Sequence, residues 1–244
     1  MNLVFDIGNT RLKAAIFKEE ELIYFYEEDI QKGSHLSSLE SYTDEIEYCI
    51  IASVVEIPFS IKKLLEKIPV QPLFLGAKTP LPFTNNYKTR DTLGYDRIAA
   101  VAGACQLFPG KNVLIIDAGT AITFELKTSQ ENYLGGNISP GLRARFRALH
   151  DYTHKLPLLS SNENLTEIGT DTESAIINGV QNGFIFEVKG YMEELHNKYP
   201  ELIVLLTGGD SQFFDNKLKK PIFVVSNLTL IGLNFILRYN AEKS

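Results

Sequence analysis

The 244-residue chain has no tryptophan, only two cysteines and four histidines. Cys49 and Cys105 form no CxxC pair and have no metal-ligand spacing to a histidine, so buried, reduced thiols are predicted rather than a metal site built from cysteine and histidine. No stretch approaches the roughly 18 apolar residues of a membrane span, and the first residues lack the basic segment of a signal peptide. We therefore expect a cytoplasmic protein with no membrane partner.

Acidic residues outnumber basic ones in this chain, with 30 Asp and Glu against 24 Lys and Arg. The formal net charge is -6, whereas binding to a phosphate backbone needs a basic excess, so a nucleic-acid partner is not expected. Arg143, Arg145 and Arg147 remain candidates for a local anion site. No GxxxxGKS/T, GxGxxG, HExxH or GxSxG motif occurs, so the P-loop, dinucleotide-binding, zincin and hydrolase classes lose their usual support.

The pattern of apolar residues indicates an α/β protein in which strands interleave with helices. Apolar and polar residues alternate at 3–5, 12–17 and 22–26, which predicts a three-strand meander. A long surface loop is predicted at 78–91. Further strands are predicted at 48–55, 71–75, 112–117, 122–126, 133–138, 202–206 and 222–225, and helices at 58–67, 96–107, 140–150, 172–198 and 227–239, with Asn227 as a candidate N-cap.

An internal repeat divides the chain. Asp6 is preceded by apolar residues and followed by Ile7, Gly8 and a polar residue, and Asp117 stands in the same pattern before Gly119, nearly half the chain away. A repeated unit of strand, Asp-x-Gly turn and strand predicts two lobes of common design. We place the first lobe at residues 1–110 and the second at residues 111–244.

Each Asp-x-Gly turn is a candidate phosphate loop. Glycine lets backbone N–H groups approach an anion, threonine hydroxyls donate further hydrogen bonds, and a carboxylate can hold a hydrated Mg²⁺ ion. The alternative is a simple tight hairpin, because Asp and Gly are turn residues. The presence of two such turns favours phosphate binding, because two loops that face each other can bind a phosphate chain from both sides. Lys13 can reach the same anion or be a solvated lysine.

Two further segments carry candidate chemistry. The segment Gly94-Tyr95-Asp96-Arg97 stands at the predicted start of a helix. There Asp96 can accept a hydroxyl proton and Arg97 can bind a carboxylate. The alternative is that Asp96 only stabilises the N-terminus of the helix through the helix dipole and that Arg97 is a surface residue. The turn at residues 207–210 holds two adjacent glycines after an apolar strand, and it suits either an adenosine or no ligand at all.

Four segments in this order resemble type III pantothenate kinase, and the resemblance spans residues 2 to about 237. They are residues 6–10, 94–97, 117–123 and 135–141. The resemblance implies two ribonuclease-H-like lobes of the actin-like ATPase superfamily and a homodimer. It also implies phosphorylation of pantothenate, the first step toward coenzyme A, with ATP, a divalent cation such as Mg²⁺, and a monovalent cation, K⁺ or NH₄⁺.

The resemblance also implies roles for individual residues. Asp6 would lie nearest the divalent cation, Asp117 would bind the monovalent cation, and Asp96 would accept the proton. The implied ATP contacts are Asp6, Ile7, Gly8, Asn9, Thr10, Arg11, Leu12, Lys13 and Thr120. The implied pantothenate contacts are Tyr87, Gly94, Tyr95, Asp96, Arg97 and Thr172.

Other functions remain open at this point because a fold does not dictate a substrate. One alternative is a kinase for another small hydroxylated acid or sugar. A second is a non-catalytic, ATP-binding transcriptional regulator on the same fold, and a third is an actin-like filament, for which the chain lacks the extra subdomains.

Overall fold

The computed structural model describes residues 1–30, 36–214, 217–218 and 221–243. The chain forms two compact units. The first unit comprises Met1–Pro109, Glu131–Leu134 and Asn227–Ser244, and the second comprises Gly110–Gln130 and Gly135–Ser226. The sequence predicts a single boundary between the lobes, after residue 110. In the structure, the C-terminal helix belongs to the first unit instead.

The strands and helices alternate as the sequence predicts. The strands are β1 (Asn2–Ile7), β2 (Arg11–Lys18), β3 (Glu21–Asp29), β4 (Tyr48–Ser53), β5 (Leu73–Phe74), β6 (Thr84–Asn85), β7 (Val113–Ala118), β8 (Ala121–Lys127), β9 (Asn132–Pro140), β10 (Ile203–Thr207) and β11 (Ile222–Val224). The helices are α1 (Ser37–Glu40), α2 (Phe59–Leu65), α3 (Tyr95–Leu107), α4 (Leu142–Asp151), α5 (Thr172–Lys198) and α6 (Leu228–Ala241).

The first unit is built on a five-stranded sheet of order β3-β2-β1-β4-β5. β1 pairs antiparallel with β2, and β2 with β3, whereas β4 and β5 run parallel to β1. β1 is an almost continuous apolar run because both faces of the sheet are covered. One face packs on a core that includes Leu39, Ile61 and Leu64 of the first two helices. Helix α6 packs against β1, β2 and β4.

The second unit repeats this strand order. β9-β8-β7-β10-β11 corresponds position by position to β3-β2-β1-β4-β5, with β7 antiparallel to β8 and parallel to β10. β1 and β7 even share one burial pattern, in which only the aspartate of Asp-x-Gly is partly exposed. The predicted duplicated α/β design is therefore confirmed. β6 pairs in parallel with Asn132 and Tyr133 at the start of β9, all within the first unit.

The differences from the sequence prediction lie mainly at the ends of elements. Pro58 is the N-cap of α2 rather than its first residue, and Pro140 ends β9, so that α4 begins at Leu142. Asn227 stands at the N-cap of α6, but its side chain makes no capping hydrogen bond. The predicted loop at 78–91 contains the short strand β6. Element ends are poorly predicted because caps and sheet edges depend on neighbouring segments.

The two cysteines are buried thiols, as predicted. Burial raises the pKa of the Cys49 thiol to about 12, because the charged thiolate would lose its hydration. This thiol is therefore protonated at neutral pH, which makes it a poor nucleophile.

Across the described residues, no helix is both long and apolar enough to cross a bilayer.

Candidate active site

The first Asp-x-Gly turn joins β1 to β2 in the first unit. The Gly8 N–H donates to the Arg11 carbonyl oxygen at 2.9 Å, which closes the turn. Ile7 and Leu12 flank it with side chains buried in the core. Asn9 and Thr10 are exposed. The turn thus presents backbone and hydroxyl groups to solvent while its apolar flanks anchor it.

Asp6 is the most perturbed titratable group near this turn. Burial raises its pKa, because the carboxylate loses hydration. The positive charge of Lys13, which stands directly across from Asp6 in the β1–β2 register, acts in the opposite direction. A hydrogen bond from the Thr229 hydroxyl to Asp6 Oδ2, at 3.0 Å, also lowers this pKa. The negative charge of Asp96 raises it, so two carboxylates interact at this site.

Asp96 lies in the first turn of α3 and is exposed. Its Oδ1 accepts a hydrogen bond from the Arg97 backbone N–H at 2.8 Å. A Cβ atom on Gly94 would overlap this same oxygen, so only glycine at position 94 is compatible with the observed carboxylate orientation. The helix start therefore presents an accessible carboxylate, whose negative charge acts on Asp6.

Arg97 and two tyrosines form a cluster behind Asp96. The guanidinium is buried and donates to the Tyr133 hydroxyl at 3.1 Å and, more weakly, to the Tyr87 hydroxyl at 3.5 Å. It also lies over the Tyr87 ring, 5.2 Å from its centroid. The Tyr87 and Tyr133 rings are nearly parallel, with centroids 6.2 Å apart. The structure brings Tyr87 to Arg97 as the sequence suggested, and it adds Tyr133, which sequence reasoning missed.

The cations of the predicted ATP loop have different surroundings. Arg11 is largely exposed and forms an ion pair with Glu27 of the neighbouring strand at 2.5 Å. Lys13 is half-buried on the strand face that carries Asp6. Lys13 is therefore the better placed cation for an anion bound near Asp6.

The second Asp-x-Gly turn is built in the same way within the second unit. The Gly119 N–H donates to the Ala121 carbonyl oxygen at 3.0 Å. Asp117 is half-buried, and Thr120 is exposed at the tip. The Gly141 N–H, at the N-terminus of α4, donates to the Thr120 carbonyl oxygen at 3.2 Å. The segment 135–141 thus supports this turn directly.

The turn at residues 207–210 also packs on this second loop. β10 runs parallel to β7, so the carboxyl ends of both strands meet at one edge of the sheet. Gly208 has φ +93°, and a Cβ atom there would overlap both the Asp117 carboxylate and the Ala118 carbonyl oxygen. The Asp210 N–H donates to the Ala118 carbonyl oxygen at 2.8 Å. This contact was not foreseen from the sequence.

The remaining predicted site residues have simpler surroundings. Thr172 is the exposed first residue of α5, next to the N-cap Asp171, which forms a capping box with Ser174. Arg145 is paired with Glu187, and Arg147 with Asp151. Because two of the three arginines are already paired with carboxylates, the structure does not favour an anion site at this cluster.

Comparison with known proteins identifies relatives over the full chain. A family model described as type III pantothenate kinase matches residues 2–194. A type III pantothenate kinase from Bacteroides fragilis is 46% identical over 242 residues, covering 98% of each chain. Another, from Christiangramia forsetii, is 44% identical over 243 residues, covering 98% of this chain and 99% of that protein.

Solved structures show likeness at lower identity. One described as a Baf family transcriptional activator from Campylobacter jejuni has a TM-score of 0.64 at 22% identity, covering 98% of this chain and 99% of that one. One described as an N-acetylmannosamine kinase from Listeria monocytogenes has a TM-score of 0.55 at 12% identity, covering 100% and 99%. At these identities the likeness concerns the fold, and it agrees with the predicted actin-like ATPase architecture.

Proposed function

This chain belongs to the type III pantothenate kinase family, and from that premise we propose that it transfers the γ-phosphoryl group of ATP to a hydroxyl of pantothenate, the first step toward coenzyme A. The observation that carries the proposal is the placement of the exposed Asp96 carboxylate at a helix start, close enough to Asp6 of the glycine turn for their charges to interact. A nucleotide phosphate at the turn and a hydroxyl at Asp96 would then be neighbours.

The proposed ATP site uses the backbone of the first turn. Residues 6–13 bind the phosphates through N–H groups, the Thr10 hydroxyl and the Lys13 ammonium, whereas Leu12 contributes only backbone because its side chain is buried. Thr120 binds the nucleotide from the second loop, whose exposed tip suits this role.

The proposed pantothenate site lies at the start of α3. Gly94, Tyr95 and Asp96 contact the substrate, and Tyr87 with the Arg97 guanidinium beneath it supplies an aromatic face and positive charge. Thr172 is a further proposed contact. A buried guanidinium favours a bound carboxylate without the cost of ordering a flexible side chain.

The proposed mechanism depends on positioning and charge. Phosphoryl transfer passes through a loose transition state, so orientation and neutralisation of the phosphate oxygens contribute more than base strength. Lys13 stabilises negative charge on the phosphates. Asp96 orients the substrate hydroxyl and accepts its proton as the new O–P bond forms and ADP leaves.

The carboxylates also fit the proposed cations. Among the described residues, no group of three or more His, Cys, Asp or Glu side chains is arranged to hold a metal ion. Mg²⁺ in kinases commonly takes one or two carboxylates, waters and the phosphates of the substrate. Asp6 supplies such a carboxylate, and the bound Mg²⁺ would neutralise phosphate charge. The Asp117 carboxylate and the Ala118 carbonyl oxygen both lie next to Gly208. Oxygen atoms of this kind can bind K⁺ or NH₄⁺.

Purified protein incubated with ATP, pantothenate, Mg²⁺ and K⁺ is expected to yield phosphorylated pantothenate, detected by mass spectrometry. Replacing K⁺ by Na⁺ should raise the KM for ATP severalfold, because Asp117 would then face the phosphates without a suitable counterion. Sugars and other hydroxylated acids serve as control acceptors. Product from one of those and none from pantothenate would contradict the proposed substrate, and identical kinetics in Na⁺ would contradict the role of Asp117.

We also propose a cytoplasmic homodimer that associates through α5. One side of this helix is lined by small residues and one exposed aromatic ring, and Phe186 is 65% exposed. The residues of this face are Ala175, Gly179, Gly183, Phe186 and Gly190. Small residues at helical spacing let a second surface approach closely, and an exposed Phe gains from burial.

Replacing Gly183 by Arg is expected to convert the dimer to a monomer. Apart from the backbone of α5 itself, a Cβ at Gly183 meets no atom of the described residues within 4 Å, so we expect the variant to keep its fold. Light scattering coupled to size exclusion should give twice 27.4 kDa for the wild type and 27.4 kDa for the variant. Lys198→Gln, about two turns beyond this face at the C-terminal end of α5, is the matched control. A Gly183→Arg dimer would place the interface elsewhere.

A further inference from the structure

A buried amide network ties helix α6 to the first hairpin. The Asn2 side-chain amide donates to Asn234 Oδ1 at 2.8 Å, and the Asn234 amide donates to the Glu19 carbonyl oxygen at 2.7 Å. Asn2 and Asn234 are both buried. The Asn234 amide thus has both its donor and its acceptor engaged, and a buried amide of this kind favours one arrangement of the segments that it joins, because an unpaired polar group there is costly.

Glycines bring α6 close to α3, the helix that carries Asp96 in its first turn. A Cβ atom on Gly232 would overlap the Ala99 carbonyl oxygen, and one on Gly103 would lie 2.6 Å from the Leu228 carbonyl oxygen. Backbone-to-backbone packing of this kind leaves little freedom to slide. The first turn of α6 is therefore fixed relative to both β1 and α3.

Thr229 stands in that first turn and points at Asp6. It is 6% exposed, and its Oγ1 donates to Asp6 Oδ2 at 3.0 Å, across 223 residues of sequence. A carboxylate has two oxygens, and this hydrogen bond occupies a direction on Oδ2. Oδ1 is then the oxygen that can turn toward a cation held by nucleotide phosphates.

We propose that Thr229 is a positioning residue, whose hydroxyl orients the Asp6 carboxylate so that Asp6 binds the divalent cation accompanying ATP. The proposal rests on the proposed function for the identity of the nucleotide. It makes a separate claim, however: the affinity of the metal–nucleotide complex depends on a hydroxyl that touches neither metal nor nucleotide. Groups that orient metal ligands typically change metal affinity by about 10–100-fold when they are removed.

The test compares Thr229→Val with Thr229→Ser. Valine keeps the volume and removes the donor, whereas serine keeps the hydroxyl. Thr79→Val is the matched control. The Thr79 hydroxyl also forms a hydrogen bond in the first unit, in which it accepts the Gly76 N–H at 2.9 Å, and it is not part of the proposed site. The probe is Mn²⁺ in the presence of AMP-PNP, with bound and free Mn²⁺ measured by electron paramagnetic resonance.

We expect Thr229→Val to raise the dissociation constant of Mn²⁺ about 10–100-fold, with Thr229→Ser and Thr79→Val near wild type. The KM for pantothenate should change little, because the Thr229 hydroxyl contacts Asp6, which is not one of the proposed pantothenate contacts. Wild-type Mn²⁺ affinity in folded Thr229→Val would overturn the proposal. So would an equal loss in Thr229→Ser, since the hydroxyl would then not be the cause.

This binding measurement separates the two proposals. If wild-type protein bound Mn²⁺ with AMP-PNP yet phosphorylated no pantothenate, the proposed substrate would be wrong while the Thr229 comparison would still decide the positioning role. A thermal melt of each variant checks that the fold is retained. Should Thr229→Val not fold, Thr229→Ala with Thr229→Ser makes the same comparison, and equal affinity in that pair would overturn the proposal.

Discussion

Asp96→Asn is expected to lower kcat for pantothenate phosphorylation about 10²–10⁴-fold, the range that general-base groups contribute. The amide keeps the size of the side chain and an oxygen for the Arg97 N–H, but it cannot accept the proton of the substrate hydroxyl. Binding of AMP-PNP, measured by calorimetry with Mg²⁺, should remain within a fewfold of wild type, because Asp6 and Lys13 are unchanged.

Asp91→Asn is the matched control for this variant. Asp91 is an exposed carboxylate only a few residues earlier, in the short 3-10 helix Arg90–Thr92. Its substitution removes the same charge but leaves the first turn of α3 unchanged. Its kcat should equal that of wild type. If Asp96→Asn also turned over at the wild-type rate, the only role of Asp96 would be to stabilise α3 through its interaction with the helix dipole.

Gly208→Ala is expected to raise the KM for ATP at least tenfold and to destabilise the second unit by about 2–4 kcal/mol. Two causes act together. Residue 208 has φ +93°, which L side chains rarely adopt, and the new methyl group would overlap the Asp117 carboxylate and the Ala118 carbonyl oxygen. The second loop must move to relieve the overlap, and small misplacements of such groups cost large factors in rate.

Gly209→Ala provides the control within the same turn. A Cβ on Gly209 meets nothing within 4 Å, and its φ is not positive. Initial rates against ATP and thermal melts of both variants give the comparison. Equal behaviour of the two alanine variants would mean that Gly208 does not hold Asp117 in place, and that the turn at 207–210 contributes nothing specific.

Much of the fold was predictable because its signals are local. The repeat around Asp6 and Asp117 predicted two units of one design, and the structure shows one strand order in both. The start of α3 beside Gly94 was also readable, since a glycine, an acid and an Ala-rich run mark a helix N-terminus. Hence the position of Asp96 in the first helical turn followed from the sequence.

The surroundings of the candidate site were not predictable. Thr229 donates to Asp6 across 223 residues, and Tyr133 receives a hydrogen bond from Arg97 across 36 residues. Neither residue belongs to a motif, because Thr in a helix and Tyr in a strand are ordinary core residues. Only their hydrogen bonds in the folded structure show that Thr229 and Tyr133 belong to the surroundings of the site.

The sequence by itself determined the element types, the duplicated Asp-x-Gly turns and the family, since these follow from short-range periodicity, turn chemistry and motif order. The tertiary structure decided that α6 joins the first unit, that Lys13 rather than Arg11 lies across from Asp6, and that Gly208 packs on Asp117. The physical reason is that hydrogen bonds, ion pairs and close backbone contacts between distant segments exist only once the sheets have set their registers.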